Sequence, residues 1–203
     1  LMVLGMASLA NAAVLDVVTY DVGQSEGRTG SSYDPLYPSD VIGVAIVVGL
    51  NPYAGYPSYD GYLVSSVDID LHAVGAGSLD VDLLKSGDAA VGTDLDSLIV
   101  GLPENGDIPR MQGISLAGIG PGSIIVNDIW FHCDGLGDVL IDLTLLGLTE
   151  YSEFSTATGQ PYPGGWLAAT ENDLGDLLIH QVPEPITMAL LGLGGLGLLR
   201  KRR

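Results

Sequence analysis

Positive charge is scarce in this chain. Its 203 residues carry 7 Lys and Arg against 25 Asp and Glu, a formal charge of −18. Contact with phosphate backbones needs a basic surface, so nucleic acid is excluded as a partner. Cys133 is the one cysteine, which excludes an intrachain disulfide framework. Three histidines, His72, His132 and His180, are dispersed, and neither H-x-x-x-H nor C-x-x-C spacing occurs, so a zinc site is not expected. No Gly-Lys dipeptide exists to close a phosphate-binding P-loop. No long 3.6-residue periodicity precedes residue 186, which argues against a helical body. The 29 glycines lack a Gly-X-Y period, so collagen is excluded as well. Disorder is equally excluded, because 47% of the residues are hydrophobic and acidic disordered chains are poor in apolar side chains.

The few basic residues are unevenly placed. Four of the seven are the last four: Arg200, Lys201, Arg202 and Arg203. With these and Glu184 set aside, residues 13–182 hold 24 acids and 3 bases, a formal −21. Just before the basic end, 186–199 reads ITMALLGLGGLGLL, without a charge. As a helix it spans about 21 Å, short against a hydrocarbon core of about 30 Å, and flanking basic side chains can snorkel to cover the mismatch. Basic residues after an apolar span hold that end in the cytoplasm. Gly192, Gly194 and Gly197 match a dinucleotide fingerprint by letters alone, with no strand before them and no βαβ unit around them. Val182, Pro183, Glu184 and Pro185 precede the run, and two prolines there forbid a helix and leave an extended, accessible segment.

A short motif, an apolar run and a basic stop, in that order, resemble the PEP-CTERM sorting signal of bacterial exported proteins. The resemblance implies recognition by an exosortase, a membrane protease-transpeptidase, with transient anchoring in the inner membrane through the C-terminal helix. It further implies delivery of the body to the cell surface or extracellular matrix. The other end agrees. Residues 1–9 are apolar, and Ala10-Asn11-Ala12 is an A-x-A cleavage pattern, so 1–12 is expected to be a signal peptide truncated at its start. The expected organisation is therefore signal peptide 1–12, exported domain 13–181 and sorting signal 182–203.

The body reads as all-β. Short apolar runs are separated by Gly, Pro, Asp and Ser, and several alternate with period two. In 63–73, Leu63, Val67, Ile69 and Leu71 are expected on one face, and Ser66, Asp68, Asp70 and His72 on the other. Leu79, Val81 and Leu83 oppose Asp80 and Asp82. Ile125, Ile129, Phe131 and Cys133 share a face, as do Val139, Ile141, Leu143 and Leu145. The nearly uniform run 41–50 suits a central strand, and 14–22, 98–102, 114–116 and 177–181 add further candidates. One helical turn is expected near 170–174, with Thr170 as N-cap and Asp173 three residues on. Many short strands without helices predict a two-sheet β-sandwich of jelly-roll or immunoglobulin-like type. The segments Val67-Asp68-Ile69-Asp70-Leu71 and Ile129-Trp130-Phe131-His132-Cys133 give the body a loose resemblance to the cohesin-like sandwich modules of exported bacterial proteins.

Candidate chemistry is thin. Cys133 and His132 are strand neighbours and point to opposite faces, so a structural thiol is expected. Asp68-x-Asp70, Asp80-x-Asp82 and Asp94-x-Asp96 put carboxylates in pairs, and the wet face of an amphipathic strand accounts for the first two. Glycine-bent, oxygen-rich segments hold Asp134, Asp138, Asp173 and Asp176, which are the candidate calcium ligands. No other cofactor is indicated. Tyr33, Tyr37, Tyr53, Tyr56, Tyr59 and Tyr62 cluster with prolines, and Tyr53, Tyr56 and Tyr59 are candidate contacts for an extracellular polysaccharide or surface protein. Two readings follow. One is a non-catalytic binding or structural module. The other is a secreted glycoside hydrolase using two carboxylates, which needs them about 5–10 Å apart with one pKa raised.

Overall fold

The computed structural model describes residues 13–20, 36–38, 40–49, 61–81, 93–155, 160–161 and 165–182. Twelve strands and one 3-10 turn are found among them, as a two-sheet β-sandwich. The smaller sheet has the order β1-β2-β7-β4, formed by Leu15–Tyr20, Val41–Val48, Ile124–Cys133 and Gly77–Val81. The near-uniform apolar run is indeed inside this sheet: β2 lies between β1 and β7, and Val44, Ala45, Ile46 and Val48 are all buried.

The larger sheet is organised by β3, Gly61–Val74. On one side β3 pairs along its length with β6, Ile108–Ile119, which pairs with the edge strand β5, Ser97–Val100. On its other side the partner changes half way. Residues 61–66 pair with β9, Glu150–Ser155, and residues 69–74 with β8, Gly137–Leu145. Two short strands, β10 (Gln160–Pro161) and β11 (Leu167–Ala168), extend β9, and β12 (Leu177–Gln181) extends β8. The helical turn expected near 170–174 is a 3-10 turn at Glu171–Asp173. Asp173 Oδ2 accepts hydrogen bonds from the Thr170 N–H and hydroxyl, both at 2.8 Å.

The two sheets close over one apolar core containing Phe131, Ile46, Ile69, Leu71, Met111, Ile129 and Ile141. Alternation predicted most of it, since strand side chains alternate between faces. Leu63 is a correction. It lies on the outer face, while Tyr62 and Val64 are buried, because a register shift between Val64 and Ser66 reverses the phase of β3 before Val67. A similar bulge at Asp128, φ 58°, buries both Ile125 and Val126 ahead of Ile129. The strands expected at 98–102 and 114–116 are the edge strand β5 and part of a twelve-residue β6.

Candidate functional site

The informative surface is the outer face of the larger sheet, and it divides in two. The first half lies over β5, β6 and the start of β3. On β6 the pattern Met111-Gln112-Gly113-Ile114-Ser115-Leu116 turns its small residues inward. Met111, Gly113 and Ser115 are buried, while Ile114 and Leu116 face water, Leu116 at 90% exposure. The cause is Leu95, which tucks under the sheet. A Cβ added at Gly113 would lie 2.5 Å from Leu95 Cδ1 and 2.9 Å from the Ser97 carbonyl oxygen. Asp96 Oδ2 accepts from the Leu116 N–H at 2.7 Å and the Ser115 hydroxyl at 3.3 Å, and this fixes the register.

Ile99, 67% exposed, is diagonal to Ile114 across the β5–β6 pair, a spacing of about 7–8 Å in antiparallel sheets. Ser66 is directly opposite Ile114 on the other side, and its hydroxyl donates to the carbonyl of Leu148, another exposed leucine. Trp166, exposed, extends its ring toward Gly118. Ile99, Ile114, Leu116, Leu148 and Trp166 thus form an apolar half-face. The 98–102 and 114–116 runs were legible as strands, but their outward orientation was not. The signal is the small pair Gly113 and Ser115 in phase with Met111.

The second half lies over the end of β3, β8 and β12, and it is ionisable. His72 Nδ1 is 3.2 Å from Asp107 Oδ2, and its Nε2 is 3.3 Å from Thr144 Oγ1 and 3.7 Å from Asp70 Oδ2. His180 Nδ1 bonds Asp138 Oδ1 across the β8–β12 pair. Asp176 and Asp142 are next in register beyond the Leu177–Ile141 pair, and burial followed by the Asp142 carboxylate raises the Asp176 pKa above the ordinary carboxylate value.

Between the halves sits Asp68. The sequence assigned it to a wet face, and the structure corrects this: Asp68 is 7% exposed. The turn 146–149 passes from β8 to β9 across it, with the Leu146 and Gly147 N–H groups both donating to the Asp68 carbonyl. Gly147 permits the approach, since a Cβ there would lie 2.4 Å from Asp68 Oδ2. Asp68 Oδ2 accepts from Arg110 Nη2 at 3.1 Å, while Oδ1 is buried without a hydrogen-bond partner. Arg110 is the one Lys or Arg among the described residues, and it stands at φ 53° with its N–H donating to Asp70 Oδ1 at 2.7 Å.

The other predicted residues are placed as follows. Asp134 is exposed in the β7–β8 turn, Asp138 meets His180, Asp173 caps its own turn, and Asp176 meets Asp142. Three of the four calcium candidates therefore face three different partners, and the fourth, Asp134, stands in the exposed turn. Among the described residues no three His, Cys, Asp or Glu side chains converge as metal ligands. Asp94 and Asp96 accept from the backbone N–H groups of Ile124 and Leu116. Cys133 is 2% exposed, and burial, then Asp40 and Asp134, push its thiol up to about 12, which keeps it protonated and unreactive. Val182 ends the described chain, half-buried. Pro183, Glu184, Pro185, the apolar run 186–199, Arg200, Lys201, Arg202 and Arg203 lie outside the described residues, as do Tyr53, Tyr56, Tyr59 and residues 1–12, where a signal peptide is expected. Among the described residues no helix is long and apolar enough to cross a membrane.

Residues 181–203 match the PEP-CTERM protein-sorting motif. This motif marks an exported protein that an exosortase sorts. No curated protein matches the chain by sequence. Among solved structures, the chain is similar to a non-cellulosomal cohesin from the hyperthermophilic archaeon Archaeoglobus fulgidus, with TM-score 0.42 and 10% identity over 87% of this chain and 97% of that one. It is also similar to a cohesin module from a Clostridium perfringens ATCC13124 family 33 glycoside hydrolase, with TM-score 0.40 and 11% identity over 85% and 99% of the two chains.

Proposed function

We propose that this exported, exosortase-sorted protein is a non-catalytic binding module of the cell surface or extracellular matrix. Its body binds another protein through the apolar half-face. The carrying observation is that Ile114, Leu116 and Ile99 stand exposed to water on the paired strands β5 and β6. Contiguous exposed apolar side chains on a folded surface mark interaction sites, and burying each one contributes about 1.5–3 kcal/mol. The fold itself supports the pattern, because Gly113 and Ser115 keep the small side chains inside and the large ones out.

The hydrolase reading has less support. The carboxylate pair with one raised pKa, Asp142 and Asp176, stands on the solvent face of β8 and β12 with Asp176 exposed, where a glycosidase needs its two carboxyl groups to flank a bound sugar.

The test is a comparison of the full chain with an Ile114→Asp/Leu116→Asp variant against a partner captured from the envelope fraction. The variant is expected to lose at least tenfold in affinity with its melting temperature unchanged. Equal affinity for the two proteins removes the reading.

A further inference from the structure

Among the described residues, the sheet edges other than β5 are met by another segment or cut short. At β4 the Leu79 N–H donates to the Gly106 carbonyl, and at β12 the Leu36 N–H and carbonyl bond His180 and Val182. β1 is met at its start by Asp173 and Gly175, which bond Val14 and Leu15. β10 and β11 are two residues long, and β10 ends in Pro161. β5 pairs with β6 alone, and just beyond it the Gly101 N–H donates to the Arg110 carbonyl at 2.9 Å. Antiparallel neighbours alternate between hydrogen-bonded and non-hydrogen-bonded pairs, so Ile99–Gln112 and Ser97–Ile114 are the bonded pairs. The Leu116 N–H agrees in phase, since it points to Asp96 on the β5 side. The N–H and carbonyl groups of Leu98 and Val100 therefore point away from β6, and no described residue bonds them there. Nor is this edge guarded. Folded sheets block free edges with charge, proline or bulges. Ser97-Leu98-Ile99-Val100 carries none of these, and the nearby carboxylates of Asp94 and Asp96 are turned onto the Ile124 and Leu116 N–H groups.

We propose that β5 pairs with β5 of a second copy of this chain, antiparallel about a two-fold axis at Ile99. In that register Leu98 faces Val100 of the second copy, and each outward N–H meets an outward carbonyl. The two Ile99 side chains, each 67% exposed in the single chain, become a cross-strand pair at the axis and cover one another. The strand suits its own copy because the run Leu98-Ile99-Val100 is apolar on both sides of the axis, so no charge falls opposite an apolar side chain. A two-fold contact also closes on itself and yields a dimer rather than a fibre. Pairing joins the two apolar half-faces across the axis into one surface. The formal −21 of residues 13–182 opposes association, so the dimer tightens as salt screens the repulsion. The contact uses the edge of β5 rather than Ile114 and Leu116, and it stands or falls separately from the partner reading.

The full chain is tested by sedimentation and by cysteine cross-linking. A dimer is expected, at least threefold tighter at about 500 mM salt than at about 50 mM. Val100→Pro removes one outward N–H while keeping the bonds to β6, and is expected to weaken the dimer at least tenfold. Under mild oxidation Ile99→Cys is expected to form a disulfide dimer, because the Cα atoms of a non-hydrogen-bonded pair lie about 4.5 Å apart. In Ser97→Cys the two thiols belong to residues about 13 Å apart along the strands, too far to bridge. Cys133, 2% exposed, does not compete. Cross-linking of Ile99→Cys at least tenfold faster than Ser97→Cys supports the pairing. Equal rates, or a dimer unchanged by Val100→Pro, overturn it. A monomeric parent that still loses its partner on Ile114→Asp/Leu116→Asp overturns the edge pairing and leaves the partner reading in place.

Discussion

Along the first half of β3 the outer face of the larger sheet carries Ile99, Ile114, Leu116 and Trp166, and along the second half it carries Asp70, His72, Asp107 and Asp142. Both halves use the same strands and the same period-two alternation. They differ in what the fold does with their side chains. The ionisable half is internally paired: His72 with Asp107 and Thr144, His180 with Asp138, Asp176 with Asp142. The apolar half spends large hydrophobic side chains on water. A half-face that satisfies itself is explained by folding alone, whereas one left facing water is explained by a partner.

The same contrast accounts for the acid excess. Many carboxylates take the place that a strand neighbour or a cation would otherwise fill, accepting backbone N–H bonds at irregularities. Asp70 does so for Arg110, Asp94 for Ile124, Asp96 for Leu116, Asp107 for Ala73 and Glu171 for Leu145. Charge-assisted bonds of this kind are stronger than neutral ones. A chain with so few cations can thus be strongly acidic without devoting its acids to a metal or a reaction.

The largest test of the comparison is at Gly113, whose absent side chain turns Ile114 and Leu116 outward. Gly113→Val is expected to cost about 3 kcal/mol, since the new side chain meets Leu95 and the immovable Ser97 carbonyl. Urea unfolding measures the loss. A change below about 0.5 kcal/mol would mean that Leu95 does not fill the space under β6 and that the apolar half-face is wrongly assigned.

The boundary between the halves comes next. Removing the guanidinium by Arg110→Ala leaves the buried Asp68 carboxylate without its cation, and Gln112 Nε2 at 3.5 Å is a weak substitute. The expected cost is about 1–2 kcal/mol, because a buried acceptor loses its partner. Asp68→Asn in the same background should recover part of it, as a neutral amide carries a smaller desolvation penalty. Equal stability of the two variants would show that turn 146–149 is held by its backbone bonds alone.

The sequence made the paired, buried parts of this molecule legible. Val139, Ile141 and Leu143 alternate with outward residues on β8, and Leu79 and Val81 with Ser78 and Asp80 on β4, so their faces follow from local period alone. Leu63, Ile114 and Asp68 were misread or unread for one physical reason. Each depends on contacts remote in sequence: a bulge between Val64 and Ser66 in the pairing with both β6 and β9, Leu95 filling the space inside Gly113, and a turn about 80 residues downstream covering a carboxylate. Period tells which residues share a face, while long-range packing decides whether that face meets core or water.

The smallest expected effect lies in the ionisable half and concerns Asp176. Burial and the Asp142 carboxylate raise its pKa in the folded state, so the native protein holds this proton more tightly than the unfolded chain. Stability from this group therefore falls as pH rises from the ordinary Asp value of 3.8 through the raised native value, and the full penalty stands at neutral pH. Asp176→Asn removes the penalty while keeping a hydrogen-bonding side chain. At pH 7 the variant is expected to gain about 0.3–0.5 kcal/mol, the scale of an exposed like-charge pair, or roughly 1 °C in melting temperature. The gain should shrink steadily as pH falls toward 3.5, where the unfolded chain also takes up the proton. A melting-temperature series from pH 3.5 to 7.5 measures it. A difference that is constant across that range would show that the two carboxylates do not share a proton, and that the ionisable half is less completely self-paired than its geometry indicates.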